Sequence, residues 1–254
     1  MSGVALNWHR LNLRQFFCPS AFSRQHSIRL CMTDISEFSK ALDAFQIEIP
    51  AEQQTQLAAY AELLWEWNSK INLTRHTTWQ LFASRDILDV VHLANLIESQ
   101  EEVLDWGSGG GVPGIPLAIL CPDLQVSLVE SVGKKAQVLN DIVAELNLPI
   151  TVYATRGEDL LEDLRFDTVV VRAVGSLRKM CTWVAPHWPS IGRILAIKGP
   201  RWVDERGEAR HHGVLKGVEM RKVAGYPMAE SENEGVILQL WRKGDPRFAD
   251  GEAP

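Results

Sequence analysis

The sequence predicts a mainly parallel, doubly wound α/β sheet, closed by a C-terminal antiparallel hairpin and preceded by a helical cap. Three observations predict it. After Glu101, short β-rich runs alternate with segments whose apolar residues recur every three or four positions, the pattern of βα units on a parallel sheet covered on both faces. The last two β-rich runs are joined by a loop alone, so they should pair antiparallel. Residues 35–99, by contrast, carry helical spacing throughout.

Taken in order, residues 1–31 contain Arg10, Arg14, Arg24 and Arg29 and no acidic residue. Such a segment reads as an extension ahead of a true start at Met32, as a flexible arm, or as a transit peptide. It is expected to be poorly ordered and lies outside the fold. Residues 32–100 form the cap. Phe38, Leu42 and Phe45 repeat at helix spacing, and Pro50 opens a second helix with Leu57, Tyr60, Ala61 and Leu64 on one face. The Asn/Ser-rich "WEWNSKINLT" ends it, and Leu81, Phe82, Ile87, Leu88, Val91 and Leu96 form the stripe of a third. Trp65 is expected to pack between helices rather than stack on a base. In the second unit, residues 101–243, "EVLDW", "QVSLVE", "ITVYAT", "FDTVVVRAV" and "GRILAIKG" are the five parallel strands. "GVEMRKVAGY" and "GVILQLWRK" make the hairpin, and residues 244–254 are expected to fray.

Composition excludes several classes. At 254 residues, 46% hydrophobic, the chain can bury one substantial core. No apolar run approaches the roughly 18 residues of a membrane span, so no membrane partner is expected. Cys18, Cys31, Cys121 and Cys181 are scattered without C-x-x-C spacing, which predicts neither a disulfide framework nor a metal site and suits a reducing cytoplasm. The adjacent His211 and His212 read as solvated surface. A net charge of −6 means that a nucleic-acid partner would need a local basic patch.

The chemistry concentrates in "VLDWGSGGGVPGIPLAIL", Val103 to Leu120. Ligands of open parallel sheets bind beyond the strands' carboxyl ends, where the first strand delivers this loop. Its glycines let a ligand approach the backbone closely. Glu130, at the end of the second strand, is placed to accept hydrogen bonds from ribose hydroxyls. Gly109, Gly111 and Gly114 fit the dinucleotide fingerprint literally, so an NAD-dependent oxidoreductase is one reading. Pro113 and Pro116, however, remove two N–H donors where a diphosphate should sit. S-adenosylmethionine has no phosphate, and Asp105 would lie near its cationic sulfonium. A methyltransferase is therefore favoured; a dehydrogenase and a non-catalytic S-adenosylmethionine-binding module stay open.

Together with "INLT", "LVES-x-x-KK", "RGED", "VRAV" and "IKG" in the same order, this loop resembles the ribosomal RNA small-subunit methyltransferase G family, also called glucose-inhibited division protein B. The resemblance spans roughly residues 35–242. It implies a Rossmann-like class I methyltransferase that uses S-adenosylmethionine, releases S-adenosylhomocysteine and methylates a guanine N7 of 16S ribosomal RNA, in the small subunit or an assembly intermediate. The implied cofactor residues are Gly107 and Val112, then Gly157 and Glu158, with Arg172 completing the set; Asp105, Gly109, Gly111 and Glu130 join them from the residue reading. N7 carries a free lone pair, so no catalytic base or metal is required, and Arg172 is the one candidate catalytic side chain. Lys134, Lys135, Arg178, Lys179, Lys198 and Arg201 fall at the carboxyl edge of the sheet as candidate RNA contacts. Two departures stand out. Asp86 follows Arg85 where the family has histidine, removing a cation, and Trp106 replaces a small aliphatic residue.

Overall fold

The computed structural model describes residues 4–5, 35–228 and 233–248. A seven-stranded sheet has the order β5-β4-β3-β6-β7-β9-β8. Its strands are β3 (Glu102–Trp106), β4 (Gln125–Val129), β5 (Thr151–Tyr153), β6 (Phe166–Arg172), β7 (Ile191–Lys198), β8 (Val218–Pro227) and β9 (Glu234–Arg242). Strands β3 to β7 pair in parallel, whereas β9 runs antiparallel to both β7 and β8. The predicted fold class is thus observed, and the strand order reverses between β3 and β6, the position where such sheets open a ligand crevice. The predicted extension at 1–31 and the end of the tail lie outside the described residues, apart from β1 (Val4–Ala5), paired in parallel with β2 (Ile47–Glu48). Near the C-terminus, Pro246–Phe248 form a 3-10 turn in which Arg247 bonds Asp245.

Alternation along each strand divides the core into two layers. Val103, Val170, Leu195 and Ile237 face one side, where α4 (Gly114–Leu120) and α5 (Gly133–Glu145) pack. Leu104, Val169, Ile194 and Val236 face the other, under α6 (Gly157–Asp163), α7 (Leu177–Val184) and α8 (Trp202–His211). The cap completes the first layer. Its helices are α1 (Ser36–Ala44), α2 (Ala51–Asn68) and α3, which runs through Trp79–Leu81, a π-helical stretch Phe82–Ile87 and Leu88–Ala94. Their apolar faces join the same hydrophobic cluster as the sheet, so cap and catalytic unit share one core.

Polar contacts fix how the cap sits. Gln53 Nε2 donates to the carbonyls of Ile119 and Leu120, closing the open end of α4 from α2. Trp65 packs on Trp79, ring centroids 4.6 Å apart, and its indole donates to the His76 carbonyl at 2.7 Å, as its packing role predicts. The π-helical stretch was not foreseen, because periodicity does not distinguish a wide turn from an α-turn over six residues.

At the opposite end of the sheet, Arg193 donates to Thr168 Oγ1, Glu101 Oε1 and the Leu96 carbonyl, and Thr168 donates to Glu101. This ties the end of the cap to the strand bases. Arg193→Met should cost about 3–5 kcal/mol in chemical denaturation, since Glu101 is left with a buried, uncompensated charge. The double variant Arg193→Met/Glu101→Met should recover most of that loss.

Candidate functional site

The loop after β3 is held against β4. The Gly107 and Ser108 N–H groups donate to the Val129 carbonyl, and the Ser108 hydroxyl donates to the Asp105 carbonyl. Gly107, Gly109 and Gly111 adopt φ of +75°, +58° and +100°, a left-handed region that side chains disfavour. The loop therefore turns tightly beyond the end of β3, with Gly107, Gly109 and Gly110 partly exposed.

No backbone donor at the start of α4 remains for a diphosphate. Pro113 and Pro116 carry no N–H. The Gly114 N–H donates to Asp105 Oδ2 at 3.0 Å, and the Ile115 N–H to the Gly111 carbonyl at 2.7 Å. A helix start built this way does not cradle phosphate.

Two acids brace the loop. Asp105 is 1% exposed, and burial pushes its carboxyl up to about 7 despite the Gly114 hydrogen bond that favours ionisation. Glu130 Oε2 accepts from the Gly109 N–H at 2.9 Å and Oε1 from the Val132 N–H at 2.8 Å. Its carboxylate spans the loop and the β4 end.

Beside this crevice a cleft of about 760 Å³ opens beyond β6 and β7, lined in part by His76, Asp89, Arg172, Lys198, Arg201 and Tyr226. Arg172 is the most firmly held of these. Its Nη2 meets Asp86 Oδ1 at 2.5 Å, and its Nη1 donates to Asp89 Oδ2 and to the Arg85 carbonyl. Burial alone would lower the guanidinium's pKa, but Asp86 and Asp89 outweigh it and hold the group charged. Burial raises the Asp89 carboxyl in turn, opposed by Arg172 and by the Tyr226 hydroxyl that donates to Asp89 Oδ1 at 2.6 Å. Tyr226 stacks on His92, whose imidazole burial holds down to about 4.

The family description rRNA small subunit methyltransferase G (GidB) matches residues 53–232. The chain belongs to this family. A ribosomal RNA small subunit methyltransferase G of Rhodopirellula baltica is 58% identical over 225 residues, covering 82% of this chain and 97% of its own length. Proteins of that name from Salmonella agona and Lactobacillus johnsonii are 35% and 30% identical, covering 81% and 79% of this chain and 98% and 88% of their own.

Against this family's pattern, the two departures have local explanations. Trp106 is 6% exposed, and its indole occupies the space that a side chain at Gly157 would need. The bulky residue after Asp105 is thus matched by the missing one at the start of α6. Asp86, where the family has histidine, is fully buried at the junction of cap and sheet as the partner of Arg172 and His76.

The other expected residues are distributed along the same carboxyl edge. Val112 is half-buried against the core below the loop, and Glu158 lies half-exposed in the first turn of α6. Lys134 is exposed and Lys135 half-exposed at the start of α5. Lys179 and Arg201 are exposed near the cleft, whereas Arg178 pairs with Glu208 and Lys198 pairs with Glu205 and donates to the Gly175 carbonyl. Sequence reasoning did not single out Tyr60, His76 or Tyr226 as polar site groups. Tyr60, fully buried, donates from α2 to the Gly110 carbonyl at 2.8 Å. It reads as one more apolar position on an amphipathic face, so only the three-dimensional contact reveals it.

Gly157→Ala should destabilise the fold by about 1–3 kcal/mol in thermal or chemical unfolding, and Trp106→Leu in the same chain should relieve most of this. Asp105 supplies a pH signature. The folded chain keeps this proton up to about pH 7, while an unfolded aspartate releases it near 3.8. Folding then takes up a proton between those values, and stability falls as pH rises through that window. Asp105→Asn keeps an acceptor for the Gly114 N–H and removes the charge. Its stability relative to the parent should rise across the window, by up to about 4 kcal/mol, and level off above it.

Proposed function

We propose that this chain transfers the methyl group of S-adenosylmethionine to N7 of a guanine in 16S ribosomal RNA and releases S-adenosylhomocysteine. The observation that carries the proposal is the pairing, along one sheet edge, of a glycine loop whose helix-start donors are all missing or used with a cleft of about 760 Å³ that Arg172 helps to line. The 58% identical relative, matched over nearly its whole length and named for small-subunit ribosomal RNA, supports the choice of substrate. The start of α4 offers a dinucleotide no free N–H for its diphosphate, so the dehydrogenase reading is not favoured.

When bound, S-adenosylmethionine supplies an electrophilic methyl on a cationic sulfur. The loop fits it: Gly107, Gly109, Gly111 and Val112 offer a close backbone approach, and Gly157 and Glu158 border the crevice from α6. Glu130 has a free lone pair on each carboxylate oxygen for the ribose hydroxyls, and Asp105 holds the loop in shape from beneath. The nucleophile is the N7 lone pair, which needs no deprotonation, so the chain's work is alignment and water exclusion, worth roughly 7–11 kcal/mol in favourable cases. Arg172 forms the wall between the two compartments and orients rather than exchanges protons. Lys134, Lys135, Arg178, Lys179, Lys198 and Arg201 are the basic rim toward RNA phosphates. The substrate is the small subunit or an assembly intermediate, met in the cytoplasm; among the described residues no helix is long and apolar enough to cross a membrane.

Incubation with labelled S-adenosylmethionine and small subunits lacking the modification should place label on one guanine N7. S-adenosylhomocysteine, and not NAD, should raise the melting temperature. Glu130→Ala should raise the KM for S-adenosylmethionine about tenfold through the lost ribose hydrogen bonds. Stabilisation by NAD alone, or cofactor binding without methyl transfer to subunits, would overturn the proposal.

A further inference from the structure

His76 is held from three directions. Its N–H donates to Thr74 Oγ1 at 3.0 Å, its carbonyl accepts from the Trp65 indole, and its Nδ1 lies 2.9 Å from Asp86 Oδ1. The ring lines the cleft and remains 28% exposed, while Asp86 lies behind it, 1% exposed. The same Asp86 oxygen takes Arg172 Nη2 at 2.5 Å. One buried carboxylate oxygen therefore orients two cleft-lining side chains, one from the linker between α2 and α3 and one from β6.

This arrangement selects a tautomer. A carboxylate paired with arginine only accepts, so Nδ1 of His76 is the donor, and in the neutral ring Nε2 carries the lone pair. Nε2 has no partner among the described residues. The two carboxylates on the cleft wall already accept hydrogen bonds from the chain itself. Asp89 accepts from Tyr226 and Arg172 on its two oxygens, and Glu205 Oε2 accepts from Lys198 Nζ and the Leu177 N–H. N7 and the 2-amino group lie on opposite edges of a purine, so a base whose N7 meets the methyl donor turns its amino edge to the cleft wall.

We propose that His76 contacts the substrate, its Nε2 accepting a hydrogen bond from the 2-amino group of the target guanine, and that Asp86 is the positioning residue that sets its tautomer and direction. The inference rests on the guanine-N7 reading above. It also accounts for the aspartate at position 86, because an imidazole reaches the cleft from position 76 instead.

The test compares small subunits reconstituted with guanosine or with inosine at the target position, inosine lacking the 2-amino group. For the parent protein, inosine should lower kcat/KM about tenfold, the effect of one hydrogen bond left unmade. His76→Phe should lower kcat/KM on guanosine about tenfold and lose nothing further on inosine, with its Kd for S-adenosylhomocysteine unchanged within about twofold. Asp86→Asn, with folding checked by the same Kd, should also narrow the guanosine–inosine difference. An inosine penalty equal in His76→Phe and in the parent, or no penalty in the parent, overturns the contact. Absence of methyl transfer by the parent to either subunit overturns the function on which the inference rests, and the inference with it.

Discussion

The ion cluster of Arg172 with Asp86 and Asp89 is the constraint on which the site's architecture depends. A guanidinium in this position is affordable only because two carboxylates and a backbone carbonyl meet it in good geometry. Arg172 belongs to the last residue of a sheet strand, and both acids belong to one cap helix. The pairing therefore fixes the cap's rotation relative to the sheet at the point where the cleft opens. With Arg193 tying the other end of the same helix to the strand bases, the cap is anchored at two points along its length. Apolar burial alone would leave its register less specific, because nonpolar contacts carry little direction.

A second layer of constraint acts on the glycine loop. Asp105 and Glu130 hold its N–H groups from the sheet side, and Tyr60 holds the Gly110 carbonyl from the cap side. A glycine-rich segment has the most conformational freedom to lose on ordering. Here that loss is met on folding by hydrogen bonds on both flanks, so the loop is ordered by the chain itself. The price of that order is visible in Asp105, a carboxyl kept in a place where burial resists its ionisation.

The local patterns carried most of the fold. The strands from "EVLDW" to "GVILQLWRK" lie within one or two residues of their expected limits, because a strand buried on both faces must be continuously apolar and the turns between are marked by glycine, proline and polar clusters. The glycine loop and Glu130 were legible for the same reason, since their spacing along the chain is short. Pairings between distant positions were not. Asp86 and Arg172 are 86 residues apart, Tyr60 and Gly110 are 50 apart, and nothing local marks either as a partner. Trp106 illustrates the limit: seen alone it is an intrusive residue in a tight loop, and only its contact with Gly157 shows that the volume is exchanged rather than added.

The same geometry bears on how an acidic protein handles a polyanion. Of the six cations on the carboxyl edge, Arg178 and Lys198 are tied to Glu208 and Glu205, whereas Lys134, Lys135, Lys179 and Arg201 have no acidic partner among the described residues. Glu205 also receives the Leu177 N–H, so it organises the start of α7 as well as holding Lys198 beside the cleft. A paired lysine gives little counterion release, so the charge this edge offers a polyanion is smaller than a count of its basic residues suggests. Phosphate contacts position a nucleic acid without reading it. The polar groups on the cleft wall are directed by carboxylates, Arg172 and His76 by the fully buried Asp86 and Tyr226 by the part-exposed Asp89.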